Sequence, residues 1–355
     1  MVEKITVIGA GSTGHAVASY LSQRGVQVTF HDDERWAQRF EDIRELGGIT
    51  LRGGAHGTGM PVKMTTDPAE AVRGAEFIFV NVMSDRQEEI ARRIAPFVED
   101  GQHILIIPGN LGSFVFRRVF DEMGVTAKVT LSEKEGNFCA CRLSGKAEVT
   151  TGYAIRSNGK IASLPASDTQ KVIDALKGLL DYSANKNVFE GTIHAGNVIN
   201  HIACTILSAA EIEHKGDAYA LFQYSLTPSV VKCIGKIREE RRAVIEALGW
   251  TERPNPMGTI EKMTHMDEHP EARNFYTYMT GPTSLDHRYL HEDCSCGAAL
   301  AISFAKRLGL EMPVLEAFLG VAGAINDRDY IGGGRTLENL GFGPELTVDE
   351  IFAMV

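Results

Sequence analysis

The sequence predicts an α/β protein in which a doubly wound, parallel β-sheet is followed by an all-helical domain. Apolar β-type runs alternate with amphipathic helical stretches through the first half, a pattern typical of repeated strand–helix–strand units. After about residue 187 the strand patterns stop and long helical patterns replace them. We therefore expect one domain over residues 1–187 and a helical domain over 188–355, because 355 residues predict about two domains.

The first domain is predicted to contain short apolar strands that are separated by amphipathic helices. Strands are expected at 5–8, 26–30, 77–82, 103–107 and 125–132, and helices at 15–24, 36–46, 87–98 and 169–180. The first of these helices has Val17, Tyr20 and Leu21 on one face and ends at Gly25, a favourable residue after a helix end. Two segments, 49–54 and 61–66, are expected to form a hairpin insertion, and residues 147–165 an antiparallel extension of the sheet.

The second domain is predicted to be entirely helical. Its helices are expected at 198–214, 228–248, 297–308, 314–326 and 348–354. Exposed apolar surface on these C-terminal helices would suit a homodimer.

Composition and charge exclude several classes of function. The chain has 46 acidic and 36 basic residues, a formal net charge of −10, and no basic stripe of the kind that binds nucleic acid. No run approaches the roughly 20 apolar residues that cross a bilayer, and no leader pattern opens the chain, so we expect a cytoplasmic protein. The cysteine pairs 139/141 and 294/296 lack the spacing of zinc sites, so we expect buried thiols and no metal.

A glycine-rich turn joins the first strand to the first helix. In the motif G-x-G-x-x-G, Gly9 makes the tight turn, Gly11 lets a pyrophosphate approach the backbone, and Gly14 lets the helix pack closely on the strand. The free N–H groups at the helix N-terminus attract an anion without a charged side chain. The sequence therefore predicts a dinucleotide site that comprises Gly9, Ala10, Gly11, Ser12, Thr13 and Gly14.

Residues at the carboxyl ends of later strands extend this predicted site. Asp32 ends the second strand, 18 residues after Gly14, where a carboxylate accepts hydrogen bonds from the adenosine ribose. Such a carboxylate repels a 2′-phosphate and favours NAD over NADP, while Arg35 softens that preference. Val82 and Asn110 fall at the same edge of the sheet, although Asn110 equally suits an ordinary turn.

The helical pattern at 198–214 is apolar over most of its circumference and has one uncharged polar stripe. The stripe contains Asn197, His201, Thr205 and Ser208. A solvent-exposed face would carry Lys, Glu or Arg, so this stripe indicates a cleft that forms specific hydrogen bonds. An imidazole can transfer a proton at neutral pH, which makes His201 a candidate catalyst. A core histidine that is bonded to a carbonyl explains the same pattern.

The segment 281–293 is dense in titratable groups. Arg288 offers a planar fork to a carboxylate, and Asp293 is placed to orient an imidazole. The spacing equally allows Asp293 to cap the next helix and Arg288 to pair with Glu292.

Nearly the whole chain resembles the opine dehydrogenase family. The segments that carry the resemblance are GAGSTG at the start, PGN at 108–110, EKEGNFCACR at 133–142, the Asn197/His201 helix, GPTSLDHRYLHED at 281–293 and GGRTLENLGF at 333–342. The resemblance implies a Rossmann domain and a helical domain with substrate bound in the cleft between them. It also implies NAD(P)H-dependent reductive condensation of an amino acid with an α-keto acid such as pyruvate.

The resemblance assigns roles to particular residues. The family's catalytic histidine, arginine and aspartate match His201, Arg288 and Asp293, so we expect the imidazole to face the nicotinamide. Substrate binding is expected at Arg288, Asn197, Cys141 and Arg142. Both substrates carry a carboxylate, so a second anchor is needed besides Arg288. Arg142 and Arg335 are candidates for it, each with a structural ion pair as the alternative, and Cys141 also suits a small buried thiol.

Two other functions compete with this one. Two-domain hydroxyacid, ketopantoate and glycerol-3-phosphate dehydrogenases use a lysine at the start of the helical domain, where Lys186 is the one candidate near the boundary. A non-catalytic NAD(H)-binding sensor is the other alternative, but a sensor needs no Asp–His–Arg set.

Overall fold

The computed structural model describes residues 2–155, 158–253, 260–262, 264–265, 268–269 and 279–355. The chain divides into two compact units, one formed by Met1–Gly191 with Val355 and the other by Thr192–Met354.

The first unit is built on an eight-stranded sheet and a smaller four-stranded sheet. The strands are β1 (Lys4–Ile8), β2 (Gln27–His31), β3 (Ile49–Gly53), β4 (Gly57–Gly59), β5 (Lys63–Thr65), β6 (Phe77–Val80), β7 (His103–Ile106), β8 (Thr130–Lys134), β9 (Cys141–Gly145), β10 (Glu148–Thr151), β11 (Lys160–Leu164) and β12 (Ser183–Ala184). The large sheet has the order β12-β11-β8-β7-β6-β1-β2-β5, and the small sheet β4-β3-β10-β9. The six neighbouring strands β8, β7, β6, β1, β2 and β5 of the large sheet are parallel to one another. Strand β11 runs antiparallel to β8.

The large sheet is covered by helices that follow its strands. The helices of this unit are α1 (Ser12–Ser22), α2 (Ala37–Leu46), α3 (Pro68–Val72), α4 (Gln87–Ile94), α5 (Gly112–Glu122) and α6 (Thr169–Leu176), with α7 (Val188–His194) leading into the second unit. Successive strand residues point to opposite faces, so β6 gives Phe77 and Phe79 to one apolar cluster and Ile78 and Val80 to the other. Burial of both faces explains the continuous apolar runs of the parallel strands.

The predicted doubly wound sheet is confirmed, with two corrections. The antiparallel extension expected at 147–165 is divided between the sheets, because β11 pairs antiparallel with β8 whereas β10 pairs with β3 and β9 in the small sheet. Residues 49–54 and 61–66 do not form one hairpin. Strand β3 pairs with β4 in the small sheet, whereas β5 pairs with β2 in parallel and extends the large one. These strands are short and rich in glycine where they meet: Gly53 ends β3, Gly54 lies in the turn and Gly57 begins β4. Pairing partners of such strands depend on the neighbouring tertiary structure rather than on local pattern.

The described part of the second unit is helical. Its helices are α8 (Asn197–Leu207), α9 (Ala209–Lys215), α10 (Leu221–Tyr224), α11 (Pro228–Ala247), α12 (Arg288–Asp293), α13 (Ala299–Arg307), α14 (Pro313–Asn326) and α15 (Val348–Ala353). The helix expected at 198–214 is interrupted at Ser208, whose φ of −113° and ψ of 17° depart from helical values. Serine side chains compete with the hydrogen bonds of the helical backbone, which favours a break at this position. Among the described residues no helix is long and apolar enough to span a bilayer.

Candidate functional site

The turn between β1 and α1 has the geometry that its glycines require. Gly9 has a φ of +106°, and a Cβ at this position would lie 2.4 Å from the carbonyl oxygen of Asn81. A Cβ on Gly14 would lie 1.7 Å from the carbonyl oxygen of Gly9. A Cβ on Gly11, in contrast, would meet no described atom within 4 Å. The turn is therefore tight on its inner side and open at Gly11.

The open side of this turn suits an anionic ligand. Helix α1 begins at Ser12, directly after Gly11, so its first N–H groups are available to an anion such as a pyrophosphate. The hydroxyl of Ser12 accepts a hydrogen bond from the amide of Leu143, and the hydroxyl of Thr13 donates to the side chain of Asn137. These bonds join the start of the helix to the segment around strand β9. The residues therefore fit the dinucleotide that the sequence predicts.

Asp32 is buried directly beneath the turn. The amide of Ala10 donates to its Oδ2 at 2.6 Å, and the amide of Asp33 donates to its Oδ1 at 2.8 Å. The carboxylate thus holds the end of β2 against the glycine-rich turn. Each carboxylate oxygen retains a second lone pair, so the arrangement leaves acceptor capacity for a ribose hydroxyl.

The carboxylate of the neighbouring Asp33 contacts several arginines, an arrangement that the sequence did not predict. Its carboxylate accepts a pair of bonds from Nε of Arg35, at 3.0 and 3.1 Å, and a bond from Nη2 of Arg86 at 3.0 Å. Nη1 of Arg93 lies 3.6 Å from the same carboxylate. The hydrogen bonds from Arg35 lower the pKa of Asp33 to about 2, although burial opposes this shift. Arg86 and Arg93 lie more than 50 residues after Asp33 in the sequence, so no local motif predicts this cluster.

The other predicted residues of the first unit lie at the same edge or beside α1. Val82 is buried and would touch a side chain added at Gly9, while Asn110 has a φ of 51° and donates from its amide to the hydroxyl of Ser84 at 3.0 Å. Cys141 is buried, with its Sγ 3.9 Å from the Oγ1 of Thr13, and Nη1 of Arg142 donates to the Cys141 carbonyl. In the described residues, no group of His, Cys, Asp and Glu side chains is arranged to hold a metal ion.

In the second unit, His201 and Asp293 form a buried pair. Nδ1 of His201 lies 2.7 Å from Oδ2 of Asp293, and the two residues are only 6% and 8% exposed. The imidazole stacks on the ring of Tyr289, with centroids 3.8 Å apart and planes inclined by 22°. Donation of Nδ1–H to the carboxylate leaves Nε2 of a neutral ring as a proton acceptor. The pair therefore has the geometry of a proton carrier with a fixed tautomer.

Close packing of two helices makes this pair possible. Asp293 is the last residue of α12 and is followed by a π-helical turn, Cys294–Ala298. Within this turn, a Cβ on Gly297 would lie 2.4 Å from Cγ2 of Val198 on helix α8. The absence of a side chain at Gly297 thus lets α8 approach, and the carboxylate reaches the imidazole. Asp293 pairs with His201 and makes no side-chain capping bond to the π-turn.

Arg288, at the start of α12, has a weaker carboxylate contact. Its Nη1 lies 3.5 Å from Oε2 of Glu292, and its guanidinium carbon lies 4.9 Å from the centroid of the Tyr289 ring. The Arg288–Glu292 pairing that the spacing allowed is therefore present. At this distance, most of the five N–H donors of the guanidinium remain for another partner.

The polar stripe of helix α8 is mostly buried. Asn197 at its start is exposed, whereas Thr205 is fully buried, and its hydroxyl has no hydrogen-bond partner within the described part of the chain. The sequence analysis missed the aromatic support of the stripe, because Tyr289 is separated from His201 by 88 positions. It also missed a second polar network, in which the Tyr330 hydroxyl lies 2.6 Å from Nδ1 of His291 and His291 contacts Asp286.

Comparison with known proteins identifies the family. Residues 184–326 match the sequence family described as NAD/NADP octopine/nopaline dehydrogenase, alpha-helical domain, and residues 4–109 match the NAD-dependent glycerol-3-phosphate dehydrogenase N-terminus. The chain is 30% identical to an opine dehydrogenase of Arthrobacter sp. (strain 1C) over 354 residues, 96% of each chain. The chain belongs to the opine dehydrogenase family.

Further relatives of this opine dehydrogenase family member are consistent with this assignment. It is 24% identical to the protein ocs of Agrobacterium vitis, over 96% of each chain. It shares its fold with a solved octopine dehydrogenase that contains NADH and pyruvate, at a TM-score of 0.70 and 18% identity over 98% of this chain and 97% of that one.

Family membership confirms the reaction class that the resemblance implied. The protein is an NAD(P)-dependent oxidoreductase that acts on the CH–NH group of donors. In the direction of synthesis it joins the amine of an amino acid to an α-keto acid and reduces the product with NAD(P)H.

Proposed function

We propose that this opine dehydrogenase family member uses His201 as its proton carrier, Asp293 to orient that imidazole and Arg288 to bind a substrate carboxylate. The observation that carries the proposal is the 2.7 Å contact between Nδ1 of His201 and Oδ2 of Asp293. A buried imidazole whose tautomer is fixed by a neighbouring carboxylate is a recurrent arrangement in enzymes that transfer protons.

His201 would act twice in the synthetic direction. Its Nε2 first takes a proton from the substrate ammonium, which frees the amine to attack the carbonyl carbon of the keto acid. A proton moves from the attacking nitrogen to the former carbonyl oxygen and gives the neutral carbinolamine. The imidazolium then returns its proton to the carbinolamine hydroxyl, which leaves as water and gives the protonated imine. Asp293 stabilises the imidazolium between these two steps, because its carboxylate is buried and in direct contact with the ring. The reduced nicotinamide, when bound, supplies the hydride that reduces the imine carbon.

Arg288 would hold a substrate carboxylate through paired N–H···O bonds. Its planar guanidinium matches a carboxylate, and the one ion pair that it forms with the described residues, at 3.5 Å, is too long to saturate the fork. Amino acid and keto acid each carry a carboxylate. We assign the second anchor to Arg142, with Asn197 and Cys141 shaping the substrate site.

The first unit would bind NADH through residues 9–14. The carboxylate of Asp32 would accept hydrogen bonds from the hydroxyls of the adenosine ribose. Val82 and Asn110 would line the same edge of the sheet. The open space at Gly11 and the free N–H groups of α1 support this assignment. We assign the dinucleotide-binding domain to residues 1–187 and the substrate domain to 188–355, with Cys141 and Arg142 as the substrate residues that the first domain contributes.

The keto acid would be a small α-keto acid such as pyruvate, and the protein would be a cytoplasmic homodimer. Free thiols at all six cysteines support a reducing compartment. The exposed side chains of Leu207 and Val321, each 48% accessible, support association through the helical unit.

A substrate matrix tests the proposed reaction. NADH oxidation is measured with pyruvate, oxaloacetate or 2-oxoglutarate, each with and without members of an amino acid panel, and products are identified by mass. We expect turnover only when an amine is present and a product mass equal to amine plus keto acid minus one oxygen. Turnover that does not need the amine would contradict the proposal and favour a hydroxyacid dehydrogenase.

A further inference from the structure

Asp33, the second residue after strand β2, is surrounded by three arginine side chains. Three guanidinium groups converge on the carboxylate of Asp33: Arg35 from the same turn and Arg86 and Arg93 from the region of helix α4. These arginine side chains are 66%, 21% and 24% exposed, whereas the Asp33 side chain is only 14% exposed. The carboxylate therefore lies inside a ring of cations.

Like charges that are held this close repel one another, so they need a resident anion. Glu89 is the other acid of the ring, but its contacts with the three arginines are longer, at 3.3 to 3.8 Å, and it is 45% exposed. Asp32 is turned away from the ring toward the amide of Ala10, and its one contact there, with Arg86, is 3.8 Å. Asp33 is thus the acid in closest contact with the three arginines.

The place of this ring in the fold relates it to the cofactor. Asp33 directly follows Asp32, at the carboxyl end of the strand that lies beside β1 and the glycine-rich turn. In Rossmann domains, the residues that follow this strand end meet the 2′ position of the adenosine ribose, which is a hydroxyl in NAD and a phosphate in NADP. Guanidinium groups are the preferred protein ligands of a phosphate.

We propose that Asp33 determines the cofactor preference, because its carboxylate occupies the arginine ring that would otherwise bind the 2′-phosphate of NADPH. This inference rests on the proposed cofactor site at residues 9–14. With Asp33 in place, the 2′-phosphate of NADPH must compete with a carboxylate that already contacts all three arginines, and the chain prefers NADH. Without that charge, Arg35, Arg86 and Arg93 become a phosphate site.

The test measures binding of NADH and NADPH, by their fluorescence, to the wild type and to Asp33→Asn, without keto acid or amine. Asparagine keeps a side-chain oxygen for the amide of Arg35, which Asp33 now accepts at 3.0 Å, so the turn is retained. We expect the wild type to bind NADH at least about tenfold more tightly than NADPH, and the variant to bind NADPH at least about tenfold more tightly than the wild type does. Affinity for NADH should change by less than about threefold.

Two further variants separate Asp33 from a general charge effect. Glu89→Gln removes the outer acid of the same ring and should raise NADPH affinity by less than about threefold. The double variant Asp33→Asn/Arg86→Met should lose the gain in NADPH affinity, because it removes a guanidinium that the phosphate needs. Binding of 2′,5′-ADP against 5′-AMP should follow the same order as NADPH against NADH, which assigns the effect to the 2′-phosphate.

Several outcomes would overturn the inference. They are equal or tighter binding of NADPH than NADH by the wild type, an unchanged NADPH affinity in Asp33→Asn, or an equal gain in Glu89→Gln. If Asp33→Asn does not fold, Asp33→Ser supplies the same test, since serine also caps such a turn. Binding of NADH without turnover of any substrate pair would contradict the proposed reaction and leave this inference standing. Failure of the wild type to bind either dinucleotide would overturn both.

Discussion

The carboxylate of Asp293 contacts Nδ1 of His201 across 92 positions of sequence, at 2.7 Å. Both side chains are buried, and the ring is stacked on Tyr289. Because the partner of Nδ1 is an acid, a neutral imidazole here carries its proton on Nδ1 and presents Nε2 as a base. The first two predictions follow from this relationship.

Replacement of His201 by alanine should lower kcat by roughly 10²–10⁴-fold, because the reaction loses its proton carrier. The affinity for NADH should not change, since the residues assigned to the cofactor lie in the first unit. Steady-state kinetics and NADH fluorescence measure the two quantities. His214→Ala is the matched control: this histidine is exposed and its ring contacts the carbonyl of Ala210. An unchanged kcat in His201→Ala would remove His201 from the mechanism.

Replacement of Asp293 by asparagine should lower kcat by about 10²-fold or more while the variant stays folded. An asparagine amide donates to Nδ1 and places the ring proton on Nε2, which then no longer accepts a proton from the ammonium. Kinetics and thermal unfolding are measured together. Asp286→Asn changes an exposed aspartate that contacts His291 and should retain activity. A kcat within about twofold of wild type in Asp293→Asn would contradict the orienting role.

Replacement of Arg288 by lysine should raise the KM of a carboxylate substrate by roughly 10–100-fold, because lysine keeps the charge but not the paired donors. NADH affinity should be retained. The control is Arg242→Lys, since this half-exposed arginine has a similar acid contact, 3.7 Å from Glu246, on helix α11. The same KM shift in both variants would show that Arg288 has no specific part in carboxylate binding.

Two glycine variants should separate the fold from the cofactor site. Gly11→Ala should keep the unfolding temperature of the wild type, because the φ of −83° at this position suits alanine. It should bind NADH at least about tenfold more weakly, because the added Cβ enters the open space where we place the pyrophosphate. Gly14→Ala should be destabilised, because its Cβ would collide with the backbone of Gly9. Calorimetry and NADH titration measure both effects. Normal NADH affinity in Gly11→Ala would contradict the predicted pyrophosphate position.

The stability of the fold should fall as the pH drops below 6.5, in part through His15. Burial lowers the pKa of this histidine from 6.5 to about 4, although its bond with the Gly11 carbonyl opposes the shift. Between these values the unfolded chain binds a proton that the folded chain refuses, so the free energy of unfolding decreases as pH falls, by up to roughly 3 kcal/mol for this group. Below about pH 4 both states are protonated and the contribution is constant.

Urea unfolding of His15→Gln between pH 7 and 4 should therefore show a shallower decrease than the wild type. His31 and His103, whose pKa values are also lowered by burial, keep part of the slope. His56→Gln, at an exposed position, is the control and should follow the wild-type curve. Identical pH profiles for His15→Gln and the wild type would contradict a neutral, buried His15.

The local signals in the sequence predicted the parallel sheet and the glycine-rich turn correctly, because both depend on neighbouring residues. Apolar runs of four or five residues predict a buried parallel strand, and the requirement for no Cβ at Gly9 and Gly14 comes from a turn only six residues long. Helix ends were less predictable. No proline or glycine marks the break at Ser208, and the π-turn after Asp293 lies where Gly297 packs against Val198, almost 100 positions away in the sequence.

The sequence by itself determined the fold class, the family and the residue types available for chemistry. Which of these residues come into contact depends on the tertiary structure. Asp293 contacts His201 and does not cap a helix. Asp33 forms the closer contacts with Arg86 and Arg93, whereas Asp32 bonds to the amide of Ala10. The physical reason is that backbone preferences act over a few residues, whereas a side-chain contact depends on the rotation and separation of whole helices and strands. Such packing is a property of the folded chain, and spacing along the sequence does not encode it directly.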